Sequence, residues 1–357
     1  MIVSTCGFGS TGSSAVCDYL MECEGFQNFD AVEFTLSTMV DGLEDLEFHI
    51  MKQNTRLSSS IYAIQRFRKA IHERSREWSV ETSAKRQDIL DLTNHYLKDI
   101  TQLTFIGNGP QIDRPHNEFI RRYFGEAVIK QRIIPYLEKK KWLKKNIDFY
   151  PLTELDASIR PSNFYEASKR YVSSILTLLG CDLNKSVVLD QAFVGNDPEK
   201  SFPFFNDPYA IVVDRDPRDL YIFAKKVLLS RGRFMPIDSV EKFITYYRMM
   251  RDNQPYKIPN ERILVIPFES MVYDYDKAAA KIDQFLGCVN KRRKSIFDPS
   301  ISIANTNLVR KFPEFKEDVA KIERQLNEYL FPFEKFKVDF GKEPKEMFFG
   351  KSPLNKQ

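Results

Sequence analysis

The chain has 357 residues, of which 43% are hydrophobic and 29% are charged, a composition typical of a well-packed globular protein. Its net charge is only +4, so the overall charge gives no reason to expect a nucleic acid or an anionic membrane as partner. No stretch approaches the ~20 apolar residues that span a bilayer, and no secretory signal precedes the first predicted strand. The sequence therefore predicts a cytoplasmic protein without an integral membrane segment.

The cysteines and histidines predict neither a metal site nor a disulfide framework. The five cysteines are odd in number and fit no paired CxxC spacing, and the four histidines are widely scattered. This pattern is typical of a protein from a reducing compartment. We therefore expect no metal and no structural disulfide.

The N-terminal segment predicts a strand, a glycine-rich loop and a helix, in that order. Residues 1–5 form a short apolar run, a loop of glycine, serine and threonine follows, and a helix is expected to start near Ser13. A second short strand and its exit loop are predicted over residues 25–34.

The rest of the chain alternates between helices and apolar strands. Further strands are predicted at 186–190, 209–214 and 263–267. Helices are predicted near 60–77, 85–103, 117–145, 161–179, 239–253, and from a cap at Asp276 to residue 286. This alternation predicts an α/β fold with a central, mostly parallel sheet flanked by helices. We expect one domain over 1–340, with a helical insertion at about 50–160 and a polar tail over 341–357.

The first loop carries the spacing of a phosphate-binding loop. It fits the pattern GxxxxG, in which glycines let backbone N–H groups point at an anion and the following helix adds its positive end. The candidate anion-binding residues are Gly9, Ser10, Thr11, Gly12, Ser13 and Ser14. Serine stands where a nucleotide hydrolase carries lysine, which argues against ATP hydrolysis. The alternative is an ordinary glycine turn at the start of a helix.

A second candidate element follows the strand predicted at 209–214. It reads Arg215-Asp216-Pro217-Arg218-Asp219. Ligands of open α/β sheets bind at the carboxyl ends of the strands, and a guanidinium at that edge suits a phosphate. The alternative is a loop arginine that pairs with Asp216 or Asp219.

Together these elements resemble the family of sulfotransferases that use 3′-phosphoadenosine-5′-phosphosulfate (PAPS), in particular its carbohydrate-acting members. The resemblance continues through Phe268-Glu269-Ser270-Met271 and covers about half of the chain. It implies a phosphate-loop fold, PAPS as donor, 3′,5′-ADP as product and no metal. It also implies that the first loop grips the 5′-phosphosulfate and that Arg215 binds the 3′-phosphate.

The resemblance assigns further nucleotide contacts as well. Arg218 belongs to the same motif as Arg215. The segment that resembles the family's nucleotide-closing loop contains Asn305 and the basic pair Arg310 and Lys311. The implied partners are therefore a nucleotide donor and a hydroxyl acceptor.

Two positions depart from the family pattern. Ser10 stands where the loop usually has a lysine or arginine, and Phe223 stands where a serine would contact the 3′-phosphate. Lys52, Arg310 and Lys311 are candidates to supply the missing cation.

Glu33 is the predicted proton acceptor. Glu33-Phe34 resembles an acid–aromatic pair of carbohydrate-acting members, which makes a glycan or glycolipid the preferred acceptor. Burial beside Phe29 and Phe34 is expected to raise its pKa. The alternative is a surface glutamate, and Asp30 and His49 are the reserve candidates.

Two other functions remain open on the sequence. A phosphate-loop kinase is favoured by Val187-Val188-Leu189-Asp190, which looks like a strand that ends in a magnesium-binding aspartate. A catalytically degenerate nucleotide-binding protein is favoured by Ser10 and Phe223.

Overall fold

The computed structural model describes residues 1–29, 33–53, 55–107, 132–140, 152–228, 234–252, 260–290 and 296–336. The strands of these residues are β1 (Ile2–Gly7), β2 (Phe26–Asn28), β3 (Leu103–Gly107), β4 (Thr153–Ala157), β5 (Ser186–Asp190), β6 (Pro208–Asp214) and β7 (Ile263–Pro267). Five of them form one sheet in the order β2-β5-β1-β6-β7, and every pairing in it is parallel. The predicted α/β class is confirmed.

The helices of the described residues cover both faces of this sheet. They are α1 (Ser13–Leu20), α2 (Leu43–Glu47), α3 (Leu57–Glu81), α4 (Arg86–Ile100), α5 (Ile134–Lys139), α6 (Phe164–Leu178), α7 (Pro217–Phe223), α8 (Val240–Arg251), α9 (Phe268–Tyr273), α10 (Tyr275–Leu286), α11 (Pro299–Ser302) and α12 (Lys316–Gln325). Helices α2 and α7 continue as π-helical turns. Among these helices none combines the length and apolarity needed to cross a membrane.

Side chains alternate across β5 between two hydrophobic clusters. Val187 and Leu189 pack into a cluster that includes α3, α4 and α6, whereas Val188 packs into a second cluster with α1 and α10. A strand buried on both faces needs a continuous apolar run, which explains why the Val-Val-Leu sequence of β5 is readable as a strand.

The region between β2 and α6 is only partly what the sequence predicts. Helices α3 and α4 match the first two helices expected there, whereas most of the third, 117–145, lies outside the described residues. The structure adds a strand pair that the sequence analysis missed: β3 and β4 form a separate antiparallel sheet. These strands are short, half-exposed and far apart in sequence, so neither shows a buried-strand pattern.

Two smaller predictions concern the ends of elements. The cap predicted at Asp276 is wrong: helix α10 begins at Tyr275 and Asp274 occupies the N-cap position. The predicted polar tail, 341–357, lies outside the described residues.

The expectation of no disulfide is also wrong, because Cys23 and Cys288 form one. The bond joins the segment after α1 to the segment after α10. The two helices are also linked directly, because the Tyr19 hydroxyl donates to Asp283 over 2.7 Å. An oxygen of Asp283 lies within 4.8 Å of both sulfurs. The two cysteines are 265 residues apart, so no local spacing could reveal that the fold brings them together.

Candidate functional site

The glycine-rich loop lies between β1 and α1, at the carboxyl edge of the sheet. Gly9 and Gly12 have φ values of 83° and 98°, and Ser10 adopts a φ of 55°. Within the loop, the Phe8 N–H donates to the Thr11 hydroxyl over 3.2 Å. Positive φ is easy for glycine and costly for other residues, so the two glycines allow the chain to turn sharply into α1.

Two aromatic rings lie directly against this loop. A side chain at Gly9 would collide with the ring of Phe234, and one at Gly12 would collide with the ring of Phe268. Phe268 is buried, whereas Phe234 is 54% exposed. A ligand that approaches the backbone at Gly9 therefore has to displace Phe234.

Arg215 joins three of the segments that the sequence analysis had linked to a nucleotide. It follows β6, its Nη1 donates to the carbonyl of Ser10 over 3.0 Å, and its Nη2 donates to the carbonyl of Asn305 over 2.5 Å. The glycine-rich loop, the end of β6 and the 305–311 segment thus meet at one guanidinium.

Arg215 does not face an open crevice, as the sequence analysis expected. The residue is only 4% exposed, and its guanidinium lies over the rings of Phe223 at 4.3 Å and Phe268 at 5.3 Å. Phe223, which stands where the family has a serine, thus packs on the arginine. Burial lowers the pKa of Arg215, while Asp219 has the largest opposing effect.

Three buried polar atoms around Arg215 have no hydrogen-bond partner. They are Arg215 Nε, Glu269 Oε2 and Asn305 Oδ1. Buried polar groups are nearly always paired, so unpaired ones call for a specific explanation such as a water, an ion or a ligand. The donor and acceptor atoms here could serve a polar ligand.

The carboxylates beside Arg215 hold the 305–311 segment in place. Asp219 accepts hydrogen bonds from the backbone N–H groups of Asn307 and Leu308, at 2.7 and 2.8 Å. Glu269 accepts one from the N–H of Asp216 over 3.0 Å. Burial raises the pKa of both Asp219 and Glu269. These acids therefore depend on the nearby guanidinium and on backbone donors to remain charged.

Arg218 does not join this site. Its guanidinium pairs with Asp216 at 2.7 Å and with Glu323 at 2.9 Å, and it also donates to the carbonyl of Phe331. Arg218 lies on the first turn of α7, and its side chain reaches Glu323 on α12. The structure thus gives it contacts that stabilise the fold, where the resemblance implied a nucleotide contact.

The other predicted cations lie in different environments. Lys311 donates to the carbonyl of Ala304 over 2.9 Å, close to Asn305, and the neighbouring Arg310 is exposed. Lys52 pairs with Glu47 at 2.8 Å at the end of the π-helical turn after α2. His49, a reserve base, lies in the same turn.

On the other side of the loop, Asp190 ends β5 beside the end of β1. The register pairs it with Thr5, and the hydroxyls of Thr5 and Ser13 lie near enough to its carboxylate to lower its pKa. Gln191 follows with a φ of 55°, and its side-chain amide donates to Ser13 over 2.9 Å. Burial raises the pKa of Asp190 to about 6, against the lowering effect of the Ser13 hydroxyl.

Glu33, the predicted base, lies near this edge but is exposed. The expected burial of Glu33 is therefore wrong; its neighbour Phe34 is buried instead and stacks on Trp78 with ring centroids 5.8 Å apart. The Phe34 N–H donates to the carbonyl of Asp190 over 3.0 Å, which brings the Glu33 segment to the end of β5. Asp30, the other reserve base, lies outside the described residues.

Two residues beside the loop, Phe234 and Gln191, were not predicted from the sequence, and Asp190 was predicted only as a magnesium ligand. For Asp190 the signal was present, since an acid directly follows a buried strand. The phenylalanine gave no signal, because its distance from the loop in sequence hides its contact with Gly9.

Comparison with known proteins gives distant structural similarity. No known protein family and no curated protein matches the sequence. Among solved structures, a sulfotransferase domain from the curacin biosynthetic pathway is 12% identical with a TM-score of 0.39, over 93% of this chain and 98% of that chain. The sulfotransferase STF9 from Mycobacterium avium is 14% identical with a TM-score of 0.34, over 96% of this chain and 78% of that chain. Similarity at this level assigns the chain to no family.

Proposed function

We propose that the protein is a sulfotransferase that moves the sulfuryl group of PAPS onto a hydroxyl group. One observation carries this proposal: Arg215 contacts both Ser10 and Asn305, so three segments far apart in sequence meet at the carboxyl edge of the sheet. Each had been linked separately to the same doubly phosphorylated nucleotide. Their convergence supports the proposal, because one bound nucleotide can contact all three segments only if they lie no further apart than the nucleotide is long.

The proposed nucleotide contacts divide between the two ends of the donor. The backbone N–H groups of the loop, with the hydroxyls of Ser13 and Ser14 at the start of α1, suit the 5′-phosphosulfate. Arg215, whose Nε has no partner, and the basic pair Arg310 and Lys311 suit the 3′-phosphate. Arg218 is left out of the proposed contacts because its donors are used within the fold.

The reaction needs little covalent chemistry from the protein. Transfer is an in-line displacement, and by analogy with phosphoryl transfer, catalysis consists mainly of positioning and of stabilising the leaving anion. When bound, PAPS supplies the sulfuryl group and its nucleotide leaving group. The chain's own residues hold these anions and take the proton of the acceptor. A glycan remains the preferred acceptor class, on the resemblance of Glu33-Phe34 alone.

A phosphate-loop kinase is the second candidate, and one observation favours it. Asp190 ends the strand beside β1 and lies near Ser13, which is where a phosphate-loop enzyme places a carboxylate near its magnesium ion. The missing loop lysine argues against this candidate.

Calorimetric titration separates the candidates. A sulfotransferase should bind 3′,5′-ADP at least about tenfold more tightly than ATP, and magnesium should not change this order, because the extra phosphate contacts are made by arginine. Tighter binding of ATP with magnesium would instead identify a kinase. Binding of neither nucleotide would point to a degenerate protein.

A matched pair of arginine variants tests where the nucleotide lies. Arg310→Ala should weaken 3′,5′-ADP binding by roughly tenfold, since a charge-assisted contact is worth about 1.5–3 kcal/mol. Arg324→Ala, an exposed arginine on α12, serves as the control and should bind like the wild type. Equal affinities for the two variants would remove the 305–311 segment from the proposed site.

A further inference from the structure

Two acceptor oxygens near the loop are buried and have no hydrogen-bond donor. They are Oδ1 of Asp190 and Oδ1 of Asn28, which end the neighbouring strands β5 and β2. The strand register pairs Asn28 with Val188, two positions before Asp190, so the two side chains point to the same face of the sheet. Native proteins rarely leave two such neighbouring oxygens unpaired, so the pair points to a molecule that donates hydrogen bonds at this edge.

The Asp190 carboxylate lies near the start of α1. Ser13, the first residue of α1, lowers the pKa of Asp190, and the side-chain amide of Gln191 donates to the Ser13 hydroxyl. Gln191, the residue after Asp190, has a left-handed backbone that is uncommon for a residue other than glycine.

We propose that Asp190 is the catalytic base that takes the proton from the hydroxyl group to be sulfated. Asn28 then accepts a hydrogen bond from a second hydroxyl or amine group of the same molecule. The inference rests on the proposed sulfotransferase function and names its acceptor class. Two acceptor atoms on one face fit a molecule with at least two hydroxyl or amine donors, such as a polyol or a sugar. A simple monohydric alcohol would leave Asn28 unpaired.

The proton balance of the step is simple. The acceptor oxygen forms a bond to sulfur while the bond from sulfur to the 5′-phosphate oxygen breaks, and the electron pair of that bond leaves with the nucleotide. The hydroxyl proton passes to Oδ1 of Asp190, which becomes a neutral carboxylic acid. Neither an oxidant nor a reductant is needed.

Asp190 suits this role better than Glu33. Glu33 is exposed, so water solvates its carboxylate, whereas Asp190 is half-buried and has the hydroxyls of Ser13 and Thr5 close to its carboxylate. Burial raises the pKa of Asp190 to about 6, close to the neutral range in which a base works best. The titratable groups next to it are Glu33 and the buried Cys6 thiol, whose pKa is raised by its own burial and further by Asp190.

The first test measures PAPS hydrolysis without an added acceptor, in which water takes the place of the hydroxyl. Asp190→Asn should slow the release of 3′,5′-ADP roughly 100-fold, the usual contribution of a general base. The wild-type rate should rise with pH through the pKa of Asp190, and the variant rate should not. The exposed control Asp276→Asn should stay within about twofold of the wild type. Loss of activity in Glu33→Gln, but not in Asp190→Asn, would overturn the assignment.

The second test needs no turnover. An ionised Asp190 beside the loop repels a bound phosphate, so the variant Asp190→Asn should bind 3′,5′-ADP about tenfold more tightly than the wild type at pH 8. At pH 5, where Asp190 is protonated, the two should bind equally. The ligand's own phosphates titrate equally in both measurements, so their titration does not affect the ratio of the wild-type to the variant dissociation constant at a given pH. A ratio that is the same at both pH values would place Asp190 away from the nucleotide and overturn the assignment.

The two proposals fail in distinguishable ways. If wild type and Asp276→Asn both fail to bind 3′,5′-ADP, the sulfotransferase function itself is wrong, and the assignment of Asp190 falls with it. If both bind and the pH-dependent ratio is absent, the function stands and only Asp190 is wrong.

Discussion

The two sides of the glycine-rich loop differ in how their charged groups are held. On the β6 side, the Arg215 guanidinium lies near three acids, and two of these acids, Asp219 and Glu269, accept hydrogen bonds from backbone N–H groups. On the β5 side, hydroxyls surround a single carboxylate, and one of its oxygens is left without a donor. The first arrangement fixes the positions of three chain segments. The second keeps an ionisable group able to gain and lose a proton.

This difference shows why a conspicuous charged residue need not do the chemistry. Arg215 is buried and contacts two backbone carbonyls, so its first effect is to hold the loop to the 305–311 segment. Asp190 lies in a less crowded polar setting, which costs stability but leaves it free to react. The substitutions below test this comparison, from the largest expected effect to the smallest.

Removing the arginine should have the largest effect. Arg215→Ala leaves Asp219 and Glu269 buried near each other without their cation, while Asp216 keeps its pairing with Arg218, so we expect a loss of about 3–5 kcal/mol in the free energy of unfolding at pH 7. The loss should shrink at pH 5, because protonation relieves the repulsion between these acids. Urea denaturation measures it.

The control for this variant is Arg262→Ala. Arg262 pairs with Asp207 at 3.1 Å and is 39% exposed, so its loss should cost at most about 1 kcal/mol. If Arg215→Ala were no more destabilising than this control, the β6 side would not be the fixed side of the loop.

Helix α1 follows the glycine-rich loop, and the disulfide lies just beyond the other end of this helix. Removing the disulfide tests whether that end of α1 is also held in place. Cys23→Ser should lower the free energy of unfolding by about 2–4 kcal/mol, because it opens a covalently closed chain segment. A thiol reductant should reproduce this loss in the wild type and add nothing in the variant. Five reactive thiols in the unfolded, unreduced wild type, in place of three, would show that the bond does not form.

Replacing the aspartate should have a smaller effect of the opposite sign. The folded pKa of Asp190, about 6, lies above its ordinary value of 3.8, so folding favours the protonated form. The stability that the protonated carboxyl group of Asp190 contributes is therefore fully present below about pH 4, and it is lost as the pH rises through about 6. Asp190→Asn should consequently be about 1–3 kcal/mol more stable than the wild type at pH 7 and equal to it at pH 4. Thermal unfolding at the two pH values measures this, and a destabilised variant at pH 7 would contradict it.

Glu33→Gln should have the smallest effect. Because Glu33 is exposed, its neutralisation should change the free energy of unfolding by less than about 0.5 kcal/mol at any pH. A larger change would mean that Glu33 shares the buried environment of Asp190, and the contrast between the two acids would disappear.

Several features of the site could be predicted from the sequence. The glycine-rich loop after β1 and the arginine after β6 are local patterns, and each follows a recognisable strand. Glu33 and Arg218 show the limit of such patterns. Their side-chain directions depend on neighbours that are far away in sequence, Trp78 beneath Phe34 and Glu323 opposite Arg218.

The sequence by itself determined the alternation of strands and helices, the parallel sheet and the edge at which polar residues collect. These follow from apolar periodicity and glycine placement, which act over a few residues. Only the tertiary structure decided which side chains became buried, that Cys23 meets Cys288, and that Asp190 stands beside Ser13. Burial and long-range contact depend on how distant segments pack, and this packing sets the pKa of an acid and the partners of an arginine.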